Sequence, residues 1–462
     1  MASERDGKLH VAMYPWFALG HLTPYIRLAN KLGSRGHRVS FLLPLKTQSK
    51  LQHLNLHPQL IQFIPITVPH VDGLPPGAET THDIPFSSIS LLITAMDNTQ
   101  KDVEILFMNL KPDIVFFDFT HWMPSLATRL NIKSVDYFII NPASVAYLLV
   151  PSRKQEKSNP LSEPELMKQP EGFPPSTLKL LLHEAQRTLA HNNTQFGEGV
   201  TFHERIIISM EECDTMAFRS CREIEAPFCN YIETQYNKPL LLTGPVLPDP
   251  PTSQLEDRWV KWLEKFPVGS VVYCSFGSEC VLSKDKFQEL LLGFELSGLP
   301  FLVALKPPIG ADTIEEALPT GFKERVEGRG IVDGGWMQQQ LILGHPSVGC
   351  FVTHCGSGSL SEALVNKCQL VLLPHFGDQY LNARMMAGDL KVGVEVEKRE
   401  EDGWFGKESV CKAVKLVMDE ESEIGHEVRK NHTKFREILL REGLESSYID
   451  SFIRKLQDLV DN

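Results

Sequence analysis

The chain has 462 residues, of which 42% are hydrophobic and 23% are charged, and its formal net charge is −12. A chain of this length is too long for one core, so we expect two domains of roughly 200 residues each. The negative charge and the lack of a basic tract argue against a protein that binds nucleic acid or a membrane surface. No apolar run approaches the ~20 residues that a helix needs to span a bilayer.

The N-terminal segment and the cysteines indicate the cellular compartment. Residues 1–21 begin with charged side chains and carry only a short apolar run, which Pro15 interrupts, unlike a signal peptide. The nine cysteines form no CxxC pair, so neither a zinc nor a redox motif is supported. We therefore expect a reduced, cytoplasmic protein. We also expect it to be a monomer.

Strand and helix signals alternate along the first half of the chain, which predicts a parallel sheet flanked by helices. The first helix, TPYIRLANKLGSRG, is predicted to begin at Pro24 and to end before Gly36. Residues 151–175 are polar and rich in proline, which predicts a surface excursion. The buried-strand candidates are LHVAMY, HRVSFLL, IQFIPIT, DIVFFD and KSVDYFII.

A proline-rich stretch, residues 240–257, predicts an interdomain linker, after which the alternation of strands and helices begins again. We therefore predict two doubly wound α/β domains, residues 1–244 and 257–438, joined by a linker at 245–256. In such sheets ligands bind beyond the carboxyl ends of the strands. The strand candidates of the second half are SVVYCSFGS, PFLVAL, RGIVDGG, SVGCFVTH, QLVLLP and VGVEV, and the chain ends in an amphipathic helical segment.

One stretch of the second half, FVTHCGSGSLSEALVN, combines a buried strand, a histidine and a Gly/Ser turn before a helix. The first N–H groups of a helix have no partner inside it, and the positive end of the helix dipole lies there. A phosphate can satisfy both, so the turn predicts an anion site beside His354. For the turn alone, an ordinary connection between a strand and a helix is the favoured interpretation.

The segment from Trp336 to Gln379 resembles the signature box of plant secondary-product UDP-glycosyltransferases over its full length, without a gap. The resemblance implies the GT-B fold, in which two Rossmann-like domains face a cleft and a C-terminal helix, here 439–462, packs back on the first domain. The matching positions are Trp336, Gln339, Leu343, His345, Gly349, Phe351, Thr353, His354, Cys355, Gly356, Ser359, Glu362, Pro374, Asp378 and Gln379.

The resemblance also implies a binding site for a UDP-sugar. Trp336 would stack on the uracil, Glu362 would accept the ribose hydroxyls, and Asp378 with Gln379 would reach the sugar. His354 and the backbone that follows it would contact the diphosphate. The full set of implied donor-binding residues is Gly20, Ser278, Trp336, Met337, Gln339, His354, Gly356, Ser357, Gly358, Ser359, Glu362, Asp378 and Gln379.

In the first half, His21 and Asp118 match the catalytic pair of the family. A histidine can take the proton of an acceptor hydroxyl, and a carboxylate on its other ring nitrogen stabilises the imidazolium. Taken alone, His21 could be a helix-start residue and Asp118 a strand-end cap. No cofactor and no metal are expected, since the chain has no Asp-x-Asp motif. The residues expected to bind the acceptor are Trp16, Phe17, His121, Trp122 and Phe376.

Two departures from the family pattern bear on the substrate. Ser357-Gly358 stands where Trp-Asn is usual, and Gln338 stands in place of a proline. The loss of the Trp-Asn pair, together with EALVNKCQLVLLP and the LESSYIDSF ending, resembles the branch that adds a sugar to the sugar of a flavonoid or anthocyanin 3-O-glycoside. The expected partners are therefore a UDP-sugar, with glucose favoured and rhamnose or xylose as alternatives, and a small phenolic glycoside. Transfer to an aglycone or to a terpenoid stays open as an alternative.

The sequence disfavours two other classes of protein. A Rossmann-type oxidoreductase requires a G-x-G-x-x-G turn, and GSGSLSE lacks the third glycine, so this class is rejected. A nucleotide-sugar-binding protein without activity is disfavoured because His21, Asp118 and Glu362 are all present.

Overall fold

The first half of the chain forms a seven-stranded parallel sheet in the order β3-β2-β1-β4-β5-β8-β9. The structure is a computed structural model that describes residues 7–153, 161–197, 199–248, 250–251, 253–277 and 279–461. Strands β6 and β7 pair with each other as a short antiparallel hairpin. The strands are β1 His10–Tyr14, β2 Arg38–Pro44, β3 Ile61–Ile66, β4 Ile114–Phe117, β5 Lys133–Phe138, β6 Gln195–Phe196, β7 Val200–Thr201, β8 Thr215–Phe218 and β9 Leu240–Leu242.

The second half forms a six-stranded parallel sheet in the order β12-β11-β10-β13-β14-β15. All eleven buried-strand candidates from the sequence are strands of one of the two sheets. Continuous apolar runs of this kind suit parallel strands that are covered on both faces. The strands are β10 Val271–Ser275, β11 Phe301–Ala304, β12 Gly330–Asp333, β13 Val348–Thr353, β14 Gln369–Leu372 and β15 Gly393–Glu395.

Helices cover the two sheets. Those of the first half are α1 Leu19–Gly33, α2 Gln48–Leu51, α3 Ile89–Asp97, α4 Gln100–Leu110, α5 Met123–Arg129, α6 Pro142–Leu148, α7 Glu163–Leu166, α8 Leu182–Asn192, α9 Phe202–Glu212 and α10 Arg222–Tyr236. Those of the second half are α11 Asp257–Leu263, α12 Lys284–Ser297, α13 Ile314–Ala317, α14 Phe322–Arg325, α15 Gln339–Leu343, α16 Ser357–Leu364, α17 Gln379–Arg384, α18 Lys407–Met418, α19 Glu423–Leu439 and α20 Leu444–Asp461.

Two helices differ from the prediction. Helix α1 begins at Leu19 rather than at Pro24, so the proline lies inside the helix and His21 lies in its first turn. Pro24 has no N–H to donate to the carbonyl four residues earlier, so that carbonyl has no helical donor. The C-terminal segment is two helices, because the chain turns between α19 and α20 at Gly443, whose φ is +76°.

Helix α20 returns to the first sheet. Its buried residues include Ile449, Phe452 and Leu456, which share a hydrophobic cluster with β1 and β2. The ring centroids of Phe452 and Phe116 of β4 lie 5.9 Å apart. Among the residues that the structure describes, no helix is both long and apolar enough to cross a membrane.

A bulge between β10 and β13 fixes the register of the strand that leads to His354. Val271 pairs with Val348 and Val272 pairs with Cys350, so Gly349 has no opposite residue. A Cβ at Gly349 would lie only 2.0 Å from the carbonyl oxygen of Gly269. The close approach of the two backbones therefore requires glycine at this position.

We expect Gly349→Ala to destabilise the protein by about 1–3 kcal/mol, because the added methyl group must displace backbone. Gly358→Ala is the matched control, since a Cβ there would meet nothing within 4 Å. The unfolding temperatures of the two variants are compared. Each kcal/mol of lost stability corresponds to a decrease of roughly 2–4 °C in this temperature. Equal unfolding temperatures for both variants would contradict the role of the bulge.

Candidate active site

His21 and Asp118 meet at one edge of the first sheet. Tyr14 of β1 pairs directly with Phe117 of β4, so the loops that follow these strands leave the sheet side by side. The Nδ1 atom of His21 lies 2.6 Å from Oδ2 of Asp118. The other oxygen, Oδ1, accepts a hydrogen bond of 2.5 Å from the backbone N–H of Trp16. Both carboxylate oxygens of Asp118 are therefore fixed.

This contact determines which nitrogen of His21 is available. An ionised carboxylate can only accept, so Nδ1 carries the proton and Nε2 keeps its lone pair. The His21 side chain is 28% exposed, whereas that of Asp118 is 9% exposed. Nε2 is thus the ring atom that can act as a base.

The pKa of His21 is raised above the ordinary histidine value. Burial alone would lower it, but the charge and the hydrogen bond of Asp118 outweigh burial. Glu279 and Asp378 add further negative charge near the ring and act in the same direction. The protonated ring is therefore stabilised in this site, as a general base requires after it has taken a proton.

Helix α16 presents its N-terminus at the edge of the second sheet. Gly356 is the N-cap, and no side chain among the described residues caps the helix. The N–H groups of Ser357, Gly358 and Ser359 thus form the first turn, where an anion is favoured. Burial lowers the pKa of His354 to about 4, so its ring is neutral near neutral pH.

Three residues of the signature box, Gln339, Ser359 and Glu362, are joined by hydrogen bonds beside helix α16. Nε2 of Gln339 donates to Oε2 of Glu362 at 2.8 Å and to Oγ of Ser359 at 3.3 Å. Trp336 is 80% exposed, which is unusual for so large an apolar side chain. The exposed indole of Trp336 suits stacking on a base, and the carboxylate of Glu362 suits the hydroxyls of a ribose.

Asp378 and Gln379 lie at the start of α17. Oδ2 of Asp378 accepts from Nδ2 of Asn382 at 2.8 Å and from Oγ of Ser357 at 3.4 Å, and burial raises the pKa of Asp378. Gln379 is only 4% exposed. Its Oε1 accepts from the backbone N–H of His375 at 3.0 Å, so this oxygen orders the loop before α17. A sugar contact by Gln379 would therefore fall to its amide nitrogen.

Three of the aromatic side chains assigned to the acceptor are buried. Trp16, Phe17 and Trp122 are 6%, 0% and 7% exposed. Phe17 therefore packs behind the site and does not line its surface. The remaining assigned residues are distributed as follows: His121 and Phe376 are half-buried, Gly20 is exposed in the first turn of α1, Met337 is buried, and Ser278 lies outside the described residues.

Three residues of the first half reach helix α16 and were not found from the sequence. Oγ of Ser357 lies 3.2 Å from Oδ1 of Asn141, and Arg219 donates to the carbonyl of Ser357 at 3.2 Å. Arg27 lies 3.8 Å from Glu362. Arg219 directly follows β8, a strand that the sequence analysis did not identify. Recognition of β8 would have placed Arg219 at the ligand-binding edge.

We expect Asp118→Asn to lower the pKa of His21, because the carboxylate that favours the imidazolium is removed while burial remains. NMR titration of histidine ring nitrogens measures this value, with His21→Ala to assign the signal. Glu279→Gln is the control, and it should lower the pKa by less, since Glu279 contributes less than Asp118. A His21 pKa that is unchanged in Asp118→Asn would contradict the geometry described above.

Comparison with protein families matches residues 269–428 to the family described as UDP-glucoronosyl and UDP-glucosyl transferase. Curated relatives cover nearly the whole chain. A cyanidin 3-O-galactoside 2''-O-xylosyltransferase of Actinidia chinensis var. chinensis is 62% identical over 98% of each chain. An anthocyanidin 3-O-glucoside 2''-O-glucosyltransferase of Ipomoea nil is 60% identical, again over 98% of each chain.

Solved structures resemble the whole molecule. UGT89C1 of Arabidopsis thaliana complexed with UDP-L-rhamnose has a TM-score of 0.75 at 22% identity and covers 97% of this chain and 99% of its own. The same protein complexed with quercetin has a TM-score of 0.74 at 22% identity, with 97% and 100% covered. This likeness confirms the predicted GT-B fold. With relatives at 62% and 60% identity along almost its full length, the chain belongs to the UDP-glycosyltransferase family.

Proposed function

We propose that the protein transfers a sugar from a UDP-sugar to the 2''-hydroxyl of the sugar on a flavonoid or anthocyanin 3-O-glycoside. The observation that carries the proposal is the pair of His21 and Asp118, joined at 2.6 Å across from the uncapped N-terminus of α16. The 2'' position is taken from the printed activities of the relatives at 62% and 60% identity. This is the branch predicted from the loss of the Trp-Asn pair together with EALVNKCQLVLLP and the LESSYIDSF ending.

The nucleotide would bind along the second domain. The uracil would stack on the exposed ring of Trp336, and Glu362, already oriented by Gln339, would accept the ribose hydroxyls. The diphosphate would receive the backbone N–H groups at the start of α16. The transferred sugar would then lie toward Asp378, near the side chain of Ser357.

The reaction would be a single displacement at the anomeric carbon. Nε2 of His21 takes the proton of the acceptor hydroxyl. At the same time the oxygen of that hydroxyl bonds to the anomeric carbon from the face opposite UDP. The bond between that carbon and the phosphate oxygen breaks, and UDP leaves with the electron pair. Asp118 stabilises the resulting imidazolium through Nδ1. The proton that Nε2 took up is later lost to solvent.

The negative charge that develops on UDP needs a fixed partner. His354 can donate a hydrogen bond, but its pKa of about 4 means that it brings no positive charge. The N-terminus of α16 supplies backbone donors and the positive end of a dipole, and both are in place before the reaction. We therefore assign most of the stabilisation of the leaving group to this helix.

UDP-glucose is the favoured donor because Asp378 and Gln379 stand at the end of the signature box, where they would reach the sugar. UDP-xylose is the second candidate, because the Actinidia relative at 62% identity is a xylosyltransferase. The two sugars differ by the hydroxymethyl group at C5. A direct comparison of the two donors therefore decides between a hexose and a pentose.

The proposal is tested by a matrix of donors and acceptors read by mass spectrometry. Purified protein would meet UDP-glucose, UDP-xylose and UDP-rhamnose, each with cyanidin 3-O-glucoside, the 3-O-galactoside, a free flavonol and a terpenoid glycoside. We expect a mass gain on the 3-O-glycosides and none on the free flavonol, because the attacking hydroxyl belongs to a sugar. NMR of the product should place the new bond at the 2'' oxygen.

Transfer to the free flavonol instead would show that the acceptor is an aglycone. Transfer to the terpenoid glycoside alone would exclude a flavonoid acceptor. His21→Ala serves as the control for both results, and general-base catalysis predicts a loss of about 10²–10⁴-fold in rate. Full activity of that variant would contradict the proposed mechanism.

A further inference from the structure

The residue after Asp118 has an unusual backbone conformation. Phe119 has a φ of +66°, in the left-handed region that bulky residues seldom adopt. The N–H of Thr120 donates to the carbonyl of Asp118 at 2.8 Å, which closes a three-residue turn around Phe119. Turns of this kind with a positive central φ are rare and strained. The surrounding structure must therefore hold this turn in place.

Arg205 of α9 supplies such a restraint. Its side chain is fully buried, and Nη1 donates to the carbonyl of Phe119 at 3.2 Å. The guanidinium carbon also lies 5.4 Å from the centre of the Phe119 ring. One side chain thus contacts both the backbone and the ring of the strained residue.

Asp97, at the end of α3, fixes the guanidinium in turn. Nη1 and Nη2 of Arg205 donate to the two carboxylate oxygens of Asp97 at 2.9 and 2.5 Å, in the bidentate geometry that suits arginine. Nε1 of Trp122 donates to the same carboxylate at 3.0 Å. Residues from α3, α9 and the turn after β4 therefore meet at one largely buried ion pair.

The strained turn is also tied to the catalytic carboxylate from the other side. The ring of Trp16 lies 4.9 Å from that of Phe119, and the backbone N–H of Trp16 holds Oδ1 of Asp118. A change in the φ of Phe119 would consequently move both Asp118 and one of its donors. Buried ion pairs are a poor source of stability, since well-packed apolar residues can often replace them without loss. A role in positioning accounts for this pair better.

We propose that Arg205, held by Asp97, is a positioning residue that keeps the turn at Phe119 in its strained form and so aligns Asp118 with Nδ1 of His21. The inference rests on the proposed catalytic role of His21 and Asp118. Arg205 itself touches neither residue of the pair and no reacting atom.

The direction of one measurable change separates positioning from simple electrostatics. The charged groups near His21 are Asp118, Glu279 and Asp378, and the charged partner of Arg205 is Asp97. Removing the positive charge of Arg205 through space would raise the pKa of His21. If Asp118 lost its contact with Nδ1 of His21, the pKa of His21 would fall instead. Burial lowers this pKa, and the carboxylate would then oppose that effect less strongly.

The experiment compares the full chain with two variants, Arg205→Lys and the double variant Arg205→Met/Asp97→Asn. The lysine keeps the positive charge but cannot make the two parallel hydrogen bonds of the guanidinium to Asp97. The double variant removes both charges at nearly constant shape. NMR titration gives the pKa of His21, and steady-state kinetics with the active donor and acceptor give kcat and KM. We expect a lower His21 pKa in both variants, kcat reduced about 10²-fold in the double variant and less in the lysine variant, and an unchanged donor KM.

Arg153→Lys is the matched control. Arg153 is also buried, donates to a backbone carbonyl, that of Glu165, at 3.0 Å, and lies 4.9 Å from the ring centre of Tyr147. It contacts neither Asp118 nor its neighbours in the strained turn, so its variant should keep the wild-type His21 pKa and kcat.

Folded Arg205 variants whose His21 pKa is unchanged or raised would overturn the inference. If His21→Ala abolishes transfer while both Arg205 variants keep the wild-type kcat, the inference is wrong and the proposed mechanism stands. If His21→Ala retains full transfer, the mechanism itself fails, and the pKa measurement still reports whether Arg205 aligns Asp118.

Discussion

The hydrogen bond between His21 and Asp118 is the contact on which the site depends. The two residues are 97 positions apart in the chain, and they meet because β1 and β4 are neighbouring parallel strands that end at the same edge. The bond fixes the tautomer of the ring, raises its pKa, and leaves Nε2 free to take a proton. A carboxylate that turned away by one rotamer would remove all three effects together.

The second sheet carries the proposed site for the leaving diphosphate. One of its two central strands, β13, ends at Thr353, His354 follows, and α16 begins at Ser357, so a leaving diphosphate would meet the backbone donors of the helix N-terminus. Contacts across the cleft hold this helix against the first half of the molecule, through Asn141 and Arg219. The proposed base and the proposed anion site thus lie on separate sheets, and these polar bonds position the sheets relative to each other.

Much of this arrangement could be predicted from the sequence, because buried parallel strands are continuous apolar runs and because the signature box has fixed spacing. Strand β8 was missed because its sequence, TMAF, contains no valine or isoleucine, unlike every strand that was found, and Arg219 was missed with it. The break before α20 depends on the conformation of one residue, Gly443. Partners such as Arg205 and Asp97, which are 108 residues apart, are chosen by packing in three dimensions, and no local pattern reports them.

The central claim is that one displacement, with His21 as base, joins the acceptor to the sugar. The anomeric configuration of the product tests this claim most directly, since UDP-glucose and UDP-xylose both carry the α configuration. NMR of the purified product from either donor should show a β linkage, because attack occurs opposite UDP. A product that retained the α configuration would require two displacements or attack from the same face, and it would contradict a single displacement with His21 as base.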